Sequence, residues 1–229
     1  MTGRAGAILL AAGLSRRMGT CKQLLPLGGK TVIARCLEGL LAGGAEEVVV
    51  VVGPQGDAVA GEARSHPVRI VRTTDPDGDM ACSVRTGRAA LSPAVGGVLI
   101  APCDHPLVLP GTVAGLLAAH RRDPRAIIIP CHAGRRGHPT CFPRGVLDEL
   151  DDTGTLRDLV RRDPARLRHL ETADRGVVLD MDTPEDYQRL VEIWRELRGF
   201  KSGRVTAPTR QAPRRPSPGL WPPSPGGRG

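Results

Sequence analysis

The sequence predicts an α/β fold with a mostly parallel central sheet and helices on both faces. Three observations lead there. Short apolar runs alternate with stretches whose apolar residues recur at helical spacing, and that alternation builds a parallel sheet covered by helices. Val48–Val52 is an unbroken run of valines, as in a strand buried on both faces. Apolar residues make up 40% of the chain and aromatic ones 2%, so the core must be aliphatic.

Each element follows in order. Ala5–Ala11 is an apolar run closing on a glycine loop and reads as a first, buried strand. Thr31–Ala42 places Val32, Ile33, Cys36, Leu37, Leu40 and Leu41 on one helical face. After the valine strand, a polar helix is expected from Gln55 and a strand at Val68–Val71. Cys82–Leu91 predicts a helix, Gly97–Ala101 a strand ending at Pro102, Pro110–His120 a helix with proline at its start, and Ile127–Ile129 a strand. Beyond Pro130 the rhythm changes. Cys131–Phe142 carries two glycines and a Gly-His-Pro and predicts a hairpin or binding loop. Short helices are expected at Val146–Leu150 and Leu156–Arg162, and a last strand at Val177–Asp180. Thr183-Pro184-Glu185-Asp186 predicts a capped helix start, the helix running to about Arg198.

Length and charge bound the rest. The 229 residues suit one domain with a tail, expected as residues 1–199 and 200–229. From Phe200 onward seven prolines and five glycines break every pattern, which predicts a disordered basic tail. That tail carries six of the positive charges and no acid, so the net +8 falls to about +2 for the body. Such a body does not point to a nucleic-acid partner. No apolar run approaches 18 residues, so no membrane association is expected. Without a signal peptide, and with six cysteines lacking any Cys-x-x-Cys pair, the expectation is a cytoplasmic protein with reduced thiols.

Four segments could carry chemistry, and ligands of such sheets bind at the carboxyl ends of the strands. The first strand runs into Ala12-Gly13-Leu14-Ser15-Arg16-Arg17-Met18-Gly19-Thr20-Cys21-Lys22. It matches neither the dinucleotide fingerprint nor the Walker loop. It does offer a glycine for close approach of backbone amides to phosphate, with Arg and Lys nearby. On residues alone it is either a phosphate cradle or a solvated basic connector. Asp104, in Pro102-Cys103-Asp104-His105-Pro106 after a buried strand, is either a Mg²⁺ ligand or a turn residue. Asp180 and Asp182 stand two apart in an extended segment, so they point the same way; one could join Asp104, or the segment could be a simple helix cap, with Asp182 or Thr183 in that role. Asp77–Arg85 is a glycine turn entering a helix, whose Ser83 could meet a base or ribose.

Together these segments resemble the MobA-like nucleotidyltransferases, and most closely the molybdenum cofactor cytidylyltransferases. The match lies in Leu9–Arg35, Asp77–Gly87, Ala101–Val108, Gly134–Phe142 and Leu179–Tyr187, and spans roughly residues 5 to 195. The resemblance implies a Rossmann-like nucleotidyltransferase domain that joins CMP from CTP to the phosphate of molybdopterin and releases pyrophosphate. It implies Mg²⁺ as cofactor, CTP or another nucleoside triphosphate and molybdopterin as ligands, and an apo molybdenum hydroxylase as a recipient partner. It assigns phosphate binding to the backbone of Gly13, Leu14 and Ser15, the β/γ-phosphates to Arg17 and the α-phosphate to Lys22. Asp104 and Asp182 would hold the metal, Ser83 the base or ribose, and the Gly137-His138-Pro139 loop the acceptor. Arg16 falls at a variable position of the motif. Ala12 resembles the cytidylyl type, where guanylyl relatives read Leu-Ala-Gly-Gly. Two departures stand near base and acceptor: Asp79-Met80-Ala81-Cys82-Ser83 where the pattern has Gly-Met and serines, and Cys103-Asp104-His105-Pro106 where it has Ala-Asp-Gln-Pro.

Overall fold

The computed structural model of the chain describes residues 3–15, 17–74 and 79–199. In chain order it contains β1 (Arg4–Ala11), a 3-10 turn at Lys22–Leu24, a small hairpin of β2 (Pro26–Leu27) and β3 (Lys30–Thr31), and α1 (Val32–Ala42). Next come β4 (Glu47–Val52), α2 (Asp57–Ala63), β5 (Arg69–Arg72), α3 (Met80–Ala90), β6 (Val95–Pro102) and α4 (Pro110–Arg122). The last part holds β7 (Ile127–His132), β8 (Arg135–Arg136), β9 (Thr140–Pro143), α5 (Arg144–Leu147), α6 (Leu156–Arg162), β10 (Leu167–Glu171) and α7 (Pro184–Leu197).

The strands run in the order β10-β7-β9-β6-β1-β4-β5, with β8 paired to β7. All neighbours on the β6-β1-β4-β5 side are parallel, as is β10 on β7; β9 runs antiparallel between β6 and β7. This is the expected α/β sheet, mostly parallel with helices on both faces.

The valine run explains why helices cover both faces. Val48, Val50 and Val52 join Ala7 and Leu9 in a core with α1, α2, α4 and α7. Val49 and Val51 join Ile8 in a second core with α3, α5 and α6. The period of two along a strand splits one apolar segment between two layers.

Register then places the site. Ala11 of β1 stands opposite Val52 of β4, and Leu10 opposite Pro102 of β6. The loops after three central strands therefore leave from one edge of the sheet. The C-terminal helix reaches the same edge. Thr183 caps α7, with Asp186 completing a capping box, and the Tyr187 hydroxyl donates to Pro26 O at 2.6 Å.

Two expectations need correcting or bounding. Val177–Asp180 is not the last strand. Arg175–Val178 forms a 3-10 turn, with Val177 buried and its carbonyl accepting from His138 N at 2.8 Å. The last strand among the described residues is β10, which the pattern hid: Leu167–Glu171 lies at a sheet edge with much of its length exposed, so its sequence is polar. The expected hairpin after Pro130 does form. Ala133 and Gly134 take positive φ angles of 49° and 75° between β7 and β8, the tight turn that a two-residue hairpin demands. The expected tail from Phe200, Arg16 and the turn residues 75–78 lie outside the described residues. Among the described residues no helix is long and apolar enough to cross a membrane, and all six cysteines are free.

Candidate active site

The loop after β1 is held from behind by a residue the sequence reading passed over. Gln23 is 2% exposed. Its amide nitrogen donates to Ala11 O at 3.2 Å and to Gly13 O at 2.9 Å. Its amide oxygen accepts from Ser15 Oγ at 3.2 Å and from Cys21 Sγ at 3.2 Å. Both donors and both acceptor positions are thus used within one loop. The same Ser15 Oγ accepts from Lys22 N at 3.2 Å. These bonds fix Ser15 at a φ of 51°, a left-handed conformation a serine rarely takes unaided. The outcome is a rigid turn whose Ala12, Gly13, Leu14 and Ser15 line a cavity of about 400 Å³. A Cβ on Gly13 would meet no protein atom within 4 Å. No intramolecular contact requires glycine there, so space beside the backbone is its structural consequence.

Lys22 stands at the other wall. Its ammonium donates to Asp104 Oδ2 at 2.9 Å, Asp182 Oδ1 at 2.9 Å and Met181 O at 3.0 Å, which engages all three protons. The side chain is 12% exposed. Burial alone would lower its pKa, but the combined attraction of Asp104 and Asp182 outweighs this and holds it above the ordinary lysine range. Three loops some eighty residues apart in sequence thus converge on one nitrogen.

Asp104 follows β6, where Cys103 N donates to Leu10 O and locks the loop to β1. One of its oxygens binds Lys22. The other, Oδ1, is buried and makes no hydrogen bond among the described residues. His105 Nε2 lies 3.6 Å from it, beyond hydrogen-bond range. Asp182 is spared from capping, because Thr183 and Asp186 do that work. Asp180, expected to point the same way, makes no bond to Lys22 and is exposed.

The remaining expected residues divide. Ser83 is 5% exposed in the first turn of α3 and lines the cavity beside Asp79 and Met80. Arg17 lies at the rim, 77% exposed and 3.5 Å from Asp182. His138 packs its ring 5.0 Å from that of His105. Burial, aided by His105, pushes its pKa down to about 4, against the pull of Asp104 and Asp180. Gly137 lines neither of the two larger cavities beside the site. It is a glycine for packing: a Cβ would lie 2.2 Å from Val177 O. Met80 was also missed. It is half exposed, as is Leu14, and both face the same cavity. The sequence named it only as part of the Asp79–Ser83 segment, without a role of its own; the fold brings it to the cavity that Leu14 lines.

Comparisons with known proteins place the chain in a family. The family model described as a MobA-like NTP transferase domain matches residues 7–167. The chain belongs to the MobA-like NTP transferase family. Within it, the chain is 33% identical over 196 residues to nicotine blue oxidoreductase of Paenarthrobacter nicotinovorans, covering 80% of this chain and 95% of that protein. It superposes on Rv0371c of Mycobacterium tuberculosis H37Rv with a TM-score of 0.75 at 30% identity, over 84% of this chain and 99% of that one. A nucleotidyl transferase from Methanothermobacter, Mth528, gives 0.75 at 25% identity over 85% and 99%. Rv0371c has also been solved in complex with manganese, at a TM-score of 0.69 and 26% identity over 84% and 100%.

For a MobA-like chain, the geometry offers three distinct provisions. Backbone along Ala12–Ser15 borders an open cavity, a buried ammonium lies beside it, and two carboxylates meet at that ammonium. Together these suit a ligand with concentrated negative charge and an accompanying cation.

Proposed function

We propose that this protein is a molybdenum cofactor cytidylyltransferase, transferring CMP from CTP to the phosphate of molybdopterin with release of pyrophosphate. The observation that carries the reading is Lys22 Nζ, held within 3.0 Å of Asp104, Asp182 and Met181 O at the edge of the cavity lined by Ala12–Ser15. In the reaction an acceptor phosphate oxygen forms a bond to the α-phosphorus, and the bond from that phosphorus to the β-bridging oxygen breaks. The electron pair leaves with pyrophosphate. The protein's part is alignment and charge neutralisation rather than covalent help. Gly13, Leu14 and Ser15 cradle the phosphates, Arg17 meets the β/γ end, and Lys22 stabilises charge at the α-phosphate. Leu14 and Met80 offer two exposed apolar side chains to the faces of a base, and Ser83 a hydroxyl to base or ribose. Ala12 supports CTP over GTP through the cytidylyl-type loop it belongs to.

The residues present fit a Mg²⁺ ion. Asp104 Oδ1 is a buried oxygen with no hydrogen bond, and Asp182 meets Asp104 across one cation already. Among the described residues no group of three or more metal-ligating side chains is assembled. Magnesium commonly binds through one or two carboxylates plus substrate phosphates. Asp104 and Asp182 would hold it, and it would neutralise the triphosphate. Metal affinity should therefore depend on the nucleotide.

The test is pyrophosphate release from purified protein with Mg²⁺, molybdopterin and, separately, CTP, GTP and ATP. Release from CTP that requires molybdopterin is expected. Equal turnover of GTP would overturn the base assignment, and turnover only with a sugar or alcohol phosphate the acceptor. Cofactor binding with no turnover would make the chain a maturation factor for a molybdenum hydroxylase. Redox turnover instead of transfer would move it towards the activity for which its Paenarthrobacter relative is named.

A further inference from the structure

A second cavity, of about 570 Å³, adjoins the first. Asp79 and Met80 line both, so the two spaces meet at the start of α3. The walls differ in kind. Ala81, Ile100, Phe142, Leu156 and Val160 make the second cavity chiefly apolar, with His138, Thr140 and Thr155 set among them. One permanent positive charge faces it, Arg157. Arg157 is exposed on α6 and makes no hydrogen bond or ion pair among the described residues. Its neighbours on the helix are engaged elsewhere: Asp158 closes the capping box with Thr155, and Arg162 pairs with Glu149.

We infer that this cavity takes the body of the acceptor, and that Arg157 is a specificity-determining residue selecting acceptors that carry an anionic group besides the phosphate that reacts. The inference rests on the transferase reading above and deepens it. A cavity of this size and lining suits a compact ring system with few polar contacts. The reacting phosphate reaches from the seam at Asp79 and Met80 into the first cavity, towards Lys22 and the α-phosphate. Arg157 stands on α6, which contributes no residue to the first cavity. It therefore meets a different part of the acceptor. An unpaired guanidinium at an apolar wall gains most from a second negative group, which it can bind bidentately.

The test uses two fluorescent probes on the full chain: pterin-6-carboxylate, which is anionic, and 6-hydroxymethylpterin, which is neutral. Binding is followed by fluorescence for the wild type, Arg157→Ala and Arg157→Glu. Arg157 is exposed, so neither variant disturbs the core, and an unchanged melting temperature checks this. The wild type should prefer the anionic probe about tenfold, the low end of a charge-assisted hydrogen bond. Arg157→Ala should erase the preference and Arg157→Glu reverse it, with CTP affinity unchanged in both. Equal binding of the two probes by the wild type, no binding of either, or a preference that survives Arg157→Ala would overturn the inference. Failure of the transferase reading looks different: no nucleotide is consumed with any acceptor, while the probe preference and its loss in Arg157→Ala persist.

Discussion

The two cavities that meet at Asp79 and Met80 differ in where their charge lies. The first gathers the charge: the Ala12–Ser15 turn, Lys22 and Asp104 line it beside Leu14 and Met80, and Asp182 holds the same ammonium from behind. The second is built from aliphatic and aromatic side chains of α3, β6, β9 and α6, with a single guanidinium at its wall. Backbone and buried charge are costly to rearrange, because every group must stay paired. Apolar walls can be re-lined by substitution at little cost while volume is kept. The difference assigns nucleotide binding and phosphate chemistry to the first cavity and acceptor selectivity to the second, a division that single substitutions can break.

The largest effect should come from Asp104→Asn. The amide keeps size and a partial contact to Lys22 but removes one of two carboxylates that neutralise the site. Turnover should fall by about 10³-fold, as for loss of a preorganised charge contact in other active sites, with probe binding in the second cavity unchanged. Full activity in this variant would remove Asp104 from the metal role. A fall in pterin binding as well would show that the cavities are not separable.

His138 tests the seam from the second side, through pH. Its pKa lies near 4 in the fold and about 6.5 when unfolded. Between those values the unfolded chain takes up a proton that the folded chain refuses. The stability His138 contributes is therefore full above pH 6.5 and lost as pH falls towards 4, by about 3 kcal/mol in total. His138→Gln, which cannot titrate, should flatten the stability profile by that amount across this window, read by denaturant midpoints. Parallel profiles for variant and wild type would mean that the imidazole is not held neutral.

How much of this was legible depends on where the physics is local. The valine strand, the proline start of α4 and the Thr183–Asp186 cap are local, and each was readable from spacing. Lys22, Asp104 and Asp182 could be named as charged residues at strand ends, but their meeting at one nitrogen is a product of sheet order. β10 was hidden because an edge strand needs no apolar code, while the Val177-Val178 pair imitated a strand although its burial comes from packing under Gly137. Gln23 was hidden for a different reason. A glutamine beside two leucines carries no signal until the backbone groups it satisfies are in place.

Gln23→Leu exposes that hidden residue. Leucine fits the volume but leaves Ala11 O, Gly13 O and the Ser15 hydroxyl without their partner. At roughly 1–3 kcal/mol for each unsatisfied buried group, with water relieving some of them, a loss of about 2 kcal/mol in stability is expected. The loop should also lose its shape, so KM for CTP should rise about tenfold while pterin binding holds. A merely structural role would lower the melting temperature and leave KM alone.

The smallest effect is the most discriminating. Arg17 and Lys22 both carry positive charge to Asp182, but one is 77% exposed at 3.5 Å and the other 12% exposed at 2.9 Å. An exposed pair at that distance is worth under about 1 kcal/mol, so Arg17→Ala should leave stability unchanged. Its cost should be a rise of a few-fold in KM for CTP that fades as salt is raised, because screening acts on exposed charge. Lys22→Ala should cost far more, at any salt, because it strands two carboxylates around a vacant position. If instead Arg17→Ala lowers kcat as deeply as Lys22→Ala and the loss resists salt, the rim arginine enters the cavity when nucleotide binds. The turn after Ser15 would then have to move inward, and the rigid cradle would extend only from Ala12 to Ser15.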